Sequence, residues 1–166
     1  MEHKWENLEF GDSSCAKPDF NDANWKTMNL PVYWENTEAG NFDGLVWFRK
    51  KIKIPKTWIG KDLVLELGPV DAMDRSYVNG TLVGRIQKTG FWQQARVYNI
   101  PKELVKDSVL IIAAAVIIVK ALDPGGGGGI WGNNVNMNIH PTISSKGANH
   151  DSSGNDNNGS ISLKGD

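Results

Sequence analysis

The sequence predicts an all-β protein, either a sandwich or a barrel of short strands. Apolar or alternating segments of strand length recur along the 166 residues, and Gly, Pro or Asn-Gly stands between them. Almost no stretch has the apolar spacing of a helix. Strands at this spacing with turn residues between them are typical of a sandwich or a barrel. The length fits one globular domain.

The first strand predicted with a regular pattern ends at Pro55, because proline cannot donate to a strand ladder. Its alternation would place Phe48, Lys50, Ile52 and Ile54 on one face and Arg49, Lys51 and Lys53 on the other. We therefore expect one buried face and one wet face. Residues 62–67 alternate again, between the turn at Gly60-Lys61 and the break at Gly68-Pro69, which favours an antiparallel neighbour.

A β-hairpin is predicted around Asn79-Gly80, because both residues accept the positive φ of a type I′ turn between apolar runs. Residues 96–100 give a further strand that ends at Pro101, where one helical turn is expected. The apolar run 109–122 predicts a strand buried on both faces, with a short helix as the alternative because it contains three alanines.

Two segments differ from the rest in composition. Five consecutive glycines at 125–129 indicate either a flexible loop or a backbone that approaches a ligand closely. Residues 144–160 are rich in Ser, Asn, Asp and Gly and carry too little apolar surface to fold alone. We therefore divide the chain into a β-sandwich domain at 1–143, a polar loop or linker at 144–160 and a terminal strand at 161–166.

Charge and composition exclude several partners. The formal net charge is -1, from 18 Lys+Arg and 19 Asp+Glu, so no basic face is expected for nucleic acid. The longest apolar run, at 109–119, is far shorter than the roughly 20 residues that span a bilayer, so no membrane partner is predicted. Cys15 is the only cysteine, which rules out a disulfide framework within the chain.

No catalytic residue is predicted. The block at 10–13, Phe-Gly-Asp-Ser, resembles the nucleophile block of SGNH-type esterases, and 154–156 resembles their later Asn block. A serine nucleophile also needs a base within hydrogen-bond reach, yet two of the three histidines, His3 and His150, lie in polar end segments. No Gly-x-Ser-x-Gly elbow is present either.

Asp71 and Asp74 form a carboxylate pair of the kind used in glycoside hydrolysis. Their spacing just before a hairpin favours three other roles: fixing a turn, accepting hydrogen bonds from sugar hydroxyls, or packing against a neighbouring domain. No metal is predicted, because no histidine and carboxylate set has metal-ligand spacing. No cofactor is expected; a structural calcium ion is compatible with the sequence but not indicated by it.

Several motifs follow one another in the order seen in one domain family, and as a set they resemble the jelly-roll sugar-binding domain of glycoside hydrolase family two. They are Asp19-Phe20-Asn21-Asp22-Ala23-Asn24-Trp25, Gly44-Leu45-Val46-Trp47-Phe48-Arg49-Lys50, Trp58-Ile59-Gly60-Lys61 and Tyr77-Val78-Asn79-Gly80-x-x-Val83-Gly84. A narrower likeness, to the version inserted into sialate O-acetylesterases and related polysaccharide acetylesterases, comes from Asp71-Ala72-Met73-Asp74 and from 123–132.

The resemblance implies a galactose-binding-domain-like jelly-roll β-sandwich that acts as a non-catalytic carbohydrate-binding module. Its partners would be a polysaccharide or oligosaccharide and the catalytic domain of a parent enzyme, toward which 161–166 would lead. We expect that parent to be extracellular or periplasmic. Residues 1–4 begin no signal-peptide pattern, so its signal peptide is expected outside this sequence.

Aromatic side chains in polar surroundings are the candidates for stacking on sugar rings. Those candidates are Trp34, Trp92 and Trp131, with Asp71, Asp74 and Arg96 as polar partners, whereas Trp25, Trp47 and Trp58 are expected in the core. The alternative is a structural accessory domain that braces the esterase catalytic domain and has no sugar affinity of its own.

Overall fold

The computed structural model describes residues 13–29, 32–33, 44–71, 73–88, 90–91, 93–118, 129–130, 138–142 and 160–165. These residues confirm the all-β prediction. They form eleven strands: β1 Lys26–Asn29, β2 Val32–Tyr33, β3 Gly44–Lys53, β4 Leu63–Asp71, β5 Met73–Val78, β6 Thr81–Ile86, β7 Ala95–Ile100, β8 Val109–Ile118, β9 Gly129–Ile130, β10 Asn138–Pro141 and β11 Ser160–Gly165. Short 3-10 turns occur at Ser13–Ala16, Lys56–Trp58 and Lys102–Leu104, the last where the turn after Pro101 was expected.

The strands form two antiparallel sheets. The first has six strands in the order β1-β11-β3-β8-β5-β6. The second is built around β4, which pairs with β7, β9 and β10, while β2 pairs with β9. β8 is the strand predicted from its long apolar run, and it lies between β3 and β5 inside the six-stranded sheet.

The main core lies between the two sheets. On β8 the residues Leu110, Ile112, Ala114 and Val116 face it, and on β3 Val46 and Phe48 do the same. The side chains of this cluster that are buried are Val46, Phe48, Ile54, Leu63, Leu65, Leu67, Val70, Val78, Ile100, Val105, Leu110, Ile112, Ala114 and Val116. Burial of this much apolar surface is the principal stabilising term of the fold.

A second cluster covers the outer face of the six-stranded sheet. Residues 13–25, hereafter the cover segment, pack there through Cys15, Ala16, Phe20 and Trp25. They lie over Trp47, Met73, Tyr77, Ala113 and Ala115. Ala113 and Ala115 stand in register between the bulky residues of β3 and β5, so the small alanine side chains leave room for the two rings of Trp47 and Tyr77, whose centroids are 5.7 Å apart.

The expectation of a wet face on β3 was wrong at Arg49, which is only 2% exposed. The cover segment explains the difference. Arg49 donates from Nη1 to the carbonyls of Cys15 (2.6 Å) and Lys17 (3.0 Å), and from Nε to Asp22 Oδ2 at 3.0 Å. Lys51 and Lys53, further along the strand, are exposed as expected.

The predicted hairpin is present, and hydrogen bonds of Asn79 hold its turn against neighbouring segments. Asn79 has φ 48 and Gly80 has φ 84, the left-handed conformations that a type I′ turn requires. Asn79 donates from Nδ2 to the carbonyl of Leu104 at 3.0 Å and accepts from the backbone N–H of Ile111 at 2.9 Å. The turn is thereby tied to the start of β8.

The end segments are described only in part. The polar stretch at 144–160 lies outside the described residues except for Ser160. Residues 160–165 form a strand, as expected for the terminal segment, but β11 pairs with β1 on one side and β3 on the other. It is thus an internal strand of the six-stranded sheet.

Candidate functional site

The sandwich has two ends, and the predicted binding residues relate to one of them. β4 belongs to the second sheet and β5 to the first, and only Ala72 stands between them. We call the end of the sandwich at this crossing the corner end. The opposite end carries the Asn79-Gly80 turn and the 3-10 turns before β4 and β8.

The topology brings the strand neighbours of the predicted residues to the corner end. Asp71 is in register with Gly129, which is in register with Tyr33. Tyr33 directly precedes Trp34, and β9 contains the last glycine of the run and ends directly before Trp131. Trp34, Trp92 and Trp131 themselves lie outside the described residues.

Asp74 and Arg96 form a buried ion pair between the two sheets beside this crossing. Arg96 Nε donates to Asp74 Oδ1 at 2.7 Å, and both side chains are 0% exposed. Asp74 Oδ2 accepts from Tyr98 Oη at 2.8 Å and from Ser76 Oγ at 3.0 Å. Alternation produces this arrangement, because the even-numbered residues of β5 and β7 both point into the sandwich.

Arg96 also holds the loop that joins β6 to β7. Its Nη1 donates to the carbonyls of Phe91 (2.6 Å) and Gln94 (2.7 Å), and its Nη2 donates to the carbonyl of Val70 at 2.9 Å. The two loop carbonyls stand on either side of Trp92 in the chain. One guanidinium therefore joins this loop to both sheets through charge-assisted hydrogen bonds.

Burial sets the protonation of this network. It raises the pKa of Asp74, and the hydrogen bonds and charge of Arg96 oppose that rise, as do the hydroxyls of Tyr98 and Ser76. Burial, together with the nearby Asp74 carboxylate, raises the pKa of Tyr98 far above its ordinary value. The phenol stays protonated and is a hydrogen-bond donor throughout the physiological range.

Gly84 makes room for the Tyr98 ring. A Cβ built at Gly84 would lie 2.0 Å from Tyr98 Cδ1, so an alanine would require the ring to move. Gly84 is opposite Ser76 in the β5–β6 pair. This position explains the final glycine of the hairpin motif, which the sequence alone left without a role.

The other side of the same loop is anchored by Gln87. Its Oε1 accepts from Arg75 Nε at 3.1 Å, and the side chain is 9% exposed. The loop that follows is open to solvent, with Phe91, Gln93 and Gln94 exposed. An exposed aromatic and two amides on a loop fixed at both ends can stack on a sugar ring and bond its hydroxyls.

Of the six predicted site residues, three are described and all three are buried. Asp71 is 5% exposed, and Asp74 and Arg96 use each other and the backbone as partners. That these three residues contact a sugar directly stays a prediction. In this structure their side chains lie beneath the surface and hold the segments that form it. Sequence reasoning missed Tyr98, Ser76 and Gly84, although the alternation of 96, 98 and 100 on β7 was a usable signal.

Within the described residues, no three His, Cys, Asp or Glu side chains come together as a metal site. In the same part of the chain, no helix is long and apolar enough to cross a membrane.

Comparison with known proteins points to glycosidases. No protein-family model matches the chain. A β-glucuronidase of Formosa agariphila is 29% identical over 100 residues, which cover 52% of this chain and 10% of that protein. A Bacteroides uniformis β-glucuronidase structure aligns with TM-score 0.57 and 26% identity, over 74% of this chain and 15% of that one.

A glycoside hydrolase family two member from Bacteroides cellulosilyticus aligns with TM-score 0.56 at 21% identity, over 72% of this chain and 17% of that one, and shows the fold alone. The chain thus spans less than a fifth of each of these relatives. The two β-glucuronidases support a domain similar to a small part of such an enzyme. The narrower likeness to acetylesterase domains stays a prediction.

Proposed function

We propose that this chain is a non-catalytic carbohydrate-binding module of a larger carbohydrate-active enzyme, with its sugar site at the corner end of the sandwich. One observation carries the proposal. The strand pairing brings the chain neighbours of Trp34 and Trp131 to the end where the Trp92 loop is held by Arg96. The similarity to a small part of several glycosidases supports the accessory role.

In this proposal the tryptophans stack on the apolar faces of sugar rings, and the exposed amides of Gln93 and Gln94 form hydrogen bonds with the hydroxyls. Each stacked ring contributes about 1 kcal/mol, so two or three rings supply about 2–3 kcal/mol. Hydrogen bonds to the hydroxyls add about 1 kcal/mol each, and the sum predicts a Kd of about 1 mM, which corresponds to about 4 kcal/mol. Binding this weak suits a module that raises the local concentration of an attached enzyme on a polymer. We also propose that the parent enzyme is an esterase or a glycosidase.

The test is affinity electrophoresis of the whole chain in gels that contain xylan, mannan, galactan, β-glucan or sialylated glycan. We expect retardation by one glycan class, and a roughly fivefold weaker interaction for at least one of the variants Trp34→Ala, Trp92→Ala and Trp131→Ala. Ile59→Ala is the matched control, because Ile59 is an apolar residue, 39% exposed, at the opposite end. Thermal unfolding of each variant separates lost binding from lost fold.

If no glycan retards the folded wild-type chain, the module proposal fails and the brace remains. Large apolar patches usually mark protein contacts. Ile59, Leu82, Phe91 and Val97 are the large apolar side chains that the described residues expose, and they lie on four separate elements. We prefer the binding module because the β6–β7 loop exposes an aromatic ring and two amides, Phe91, Gln93 and Gln94, which suit a sugar.

A further inference from the structure

Strand β7 is an edge strand without the usual protection against pairing. Its six residues, Ala95–Ile100, pair with β4, and within the described residues no other strand pairs with them. Edge strands present unpaired N–H and C=O groups, and proteins usually protect them with lysine, proline, a bulge or a very short length. The charged side chain on β7 is that of Arg96, which is buried in the sandwich. The outer surface of this strand is therefore uncharged.

The other edge strands among the described residues each carry such a protection. β6 has the exposed Arg85, and β10 is four residues long and ends in Pro141. β1 begins with Lys26, and β2 contains only two residues. The β4–β7 pair is irregular between Glu66 and Gly68, but the extra residue lies on β4. β7 thus offers six regular residues to a further strand.

The exposed side chains of β7 suit a second copy of the same strand. Alternation turns Ala95, Val97 and Asn99 outward, and Val97 is 57% exposed. In an antiparallel pair around a two-fold axis at Val97, this valine meets its own copy, and Ala95 meets Asn99 of the second copy. No like charges are opposed in this register. The two-fold pair also covers both unprotected edges at once, whereas a bound peptide would cover one.

We propose that two copies of this chain associate through β7, so that the second sheet continues from one copy into the other by antiparallel edge pairing. Main-chain hydrogen bonds between the two β7 strands supply the affinity, and the uncharged side chains allow close approach. An interface of this kind is small, so we expect a weak dimer that forms and dissociates. The inference concerns association between copies and does not depend on sugar binding.

Sedimentation velocity of the whole chain, at micromolar to millimolar concentrations, is the first measurement. We expect the mean mass to rise with concentration from that of one chain toward that of two. Val97→Lys places two positive charges opposite each other and should weaken the dimer about fivefold. Leu82→Lys is the matched control, because Leu82 is 42% exposed on the edge strand β6, and it should leave the dimer unchanged. Thermal unfolding checks that both variants fold.

Cross-linking tests the register independently. Directly opposed residues of antiparallel strands have Cα atoms about 4.5–5.5 Å apart, which is within the range of a disulfide. Val97→Cys alone should therefore form a disulfide-linked dimer when copper phenanthroline oxidises the two thiols. Asn99→Cys alone should not, because its two copies would be about 14 Å apart, but a mixture of Ala95→Cys and Asn99→Cys should. The wild-type chain, whose Cys15 is buried, is the control.

A wild-type chain that stays monomeric at millimolar concentration, with no cross-link through Val97→Cys, would overturn the inference and leave the proposed function standing. A dimer disrupted by Leu82→Lys and not by Val97→Lys would also overturn it, because β6 would then be the interface. Equal cross-linking of Asn99→Cys alone would contradict the two-fold register. Uptake of a synthetic β7 peptide by a monomeric chain would mean that the edge receives a segment of another protein, and would contradict self-association.

Discussion

The substitution Asp74→Asn tests the buried network most directly. The exchange keeps the shape of the side chain but removes the charge that Arg96 contacts at 2.7 Å. Both partners are 0% exposed, so water cannot take the place of the lost carboxylate charge. Leaving a buried charge without its partner costs about 3–5 kcal/mol, which is a large share of the roughly 5–15 kcal/mol that stabilises an ordinary domain.

Urea unfolding followed by tryptophan fluorescence measures this loss. With an m-value of about 2 kcal/mol per M, the midpoint should fall by about 2 M. Tyr98→Phe removes one of the three donors to the same carboxylate and should cost about 1.5 kcal/mol. Asp19→Asn is the matched control, since Asp19 is exposed and surface exchanges usually change stability by less than about 0.5 kcal/mol.

The predicted loss of unfolding free energy is largest for Asp74→Asn, smaller for Tyr98→Phe and smallest for Asp19→Asn. A loss below about 1 kcal/mol for Asp74→Asn would mean that the guanidinium reaches solvent or another anion, and the account of a desolvated pair would be wrong. A loss for Tyr98→Phe as large as that for Asp74→Asn would place the main contribution in the phenol and not in the charge.

Three further substitutions test other parts of the fold. Gly84→Ala should lower the unfolding free energy by about 1–3 kcal/mol, because its Cβ would lie 2.0 Å from the Tyr98 ring; urea unfolding measures it. Arg49→Met removes the donors to the cover segment, so chymotrypsin should cleave that segment faster at Phe20 and Trp25. The bond to the Pro141 carbonyl, helped by Glu66, raises the pKa of His140, so His140→Gln should cost stability below about pH 6.5 and lose its effect as pH rises.

Each of these three predictions has an outcome that would contradict it. Gly84→Ala with wild-type stability would mean that the Tyr98 ring moves aside freely. Unchanged cleavage of Arg49→Met, measured beside Lys51→Met on the same strand, would show that the apolar contacts alone hold the cover segment. A His140→Gln effect that grows with pH would reverse the sign expected for a group whose folded pKa is raised above 6.5.

The strands and turns that the sequence predicts correctly are those that local chemistry determines. A type I′ turn requires positive φ, which Asn79 and Gly80 adopt at little cost, and Pro101 ends a strand because it lacks an N–H. Within the described part of the apolar run, residues 110–116 are buried on both faces, as expected. A short helix was the alternative, because the run contains three alanines. The alanine side chains leave room for the bulky residues on the flanking strands.

The alternation of residues along a strand carries no information about which distant segment packs against it. Arg49 was expected on a wet face, because alternation says which residues share a face but not what covers it. The cover segment lies more than twenty residues earlier in the chain. Trp47 shares a face with Arg49 and is 2% exposed, so a tryptophan on a supposedly wet face was the available sign of a cover.

The buried pair also decides which variants can separate a binding module from a brace. The sequence indicated that Asp74 and Arg96 contribute to the site. It could not show that their two charges form a buried ion pair beneath the loop. Because Arg96 holds the carbonyls of Phe91 and Gln94, a change at either charge would alter fold stability and loop shape together. Lost sugar binding in such a variant would be expected under both functions. Variants of the exposed loop side chains Gln93 and Gln94 leave the network intact and therefore test recognition itself.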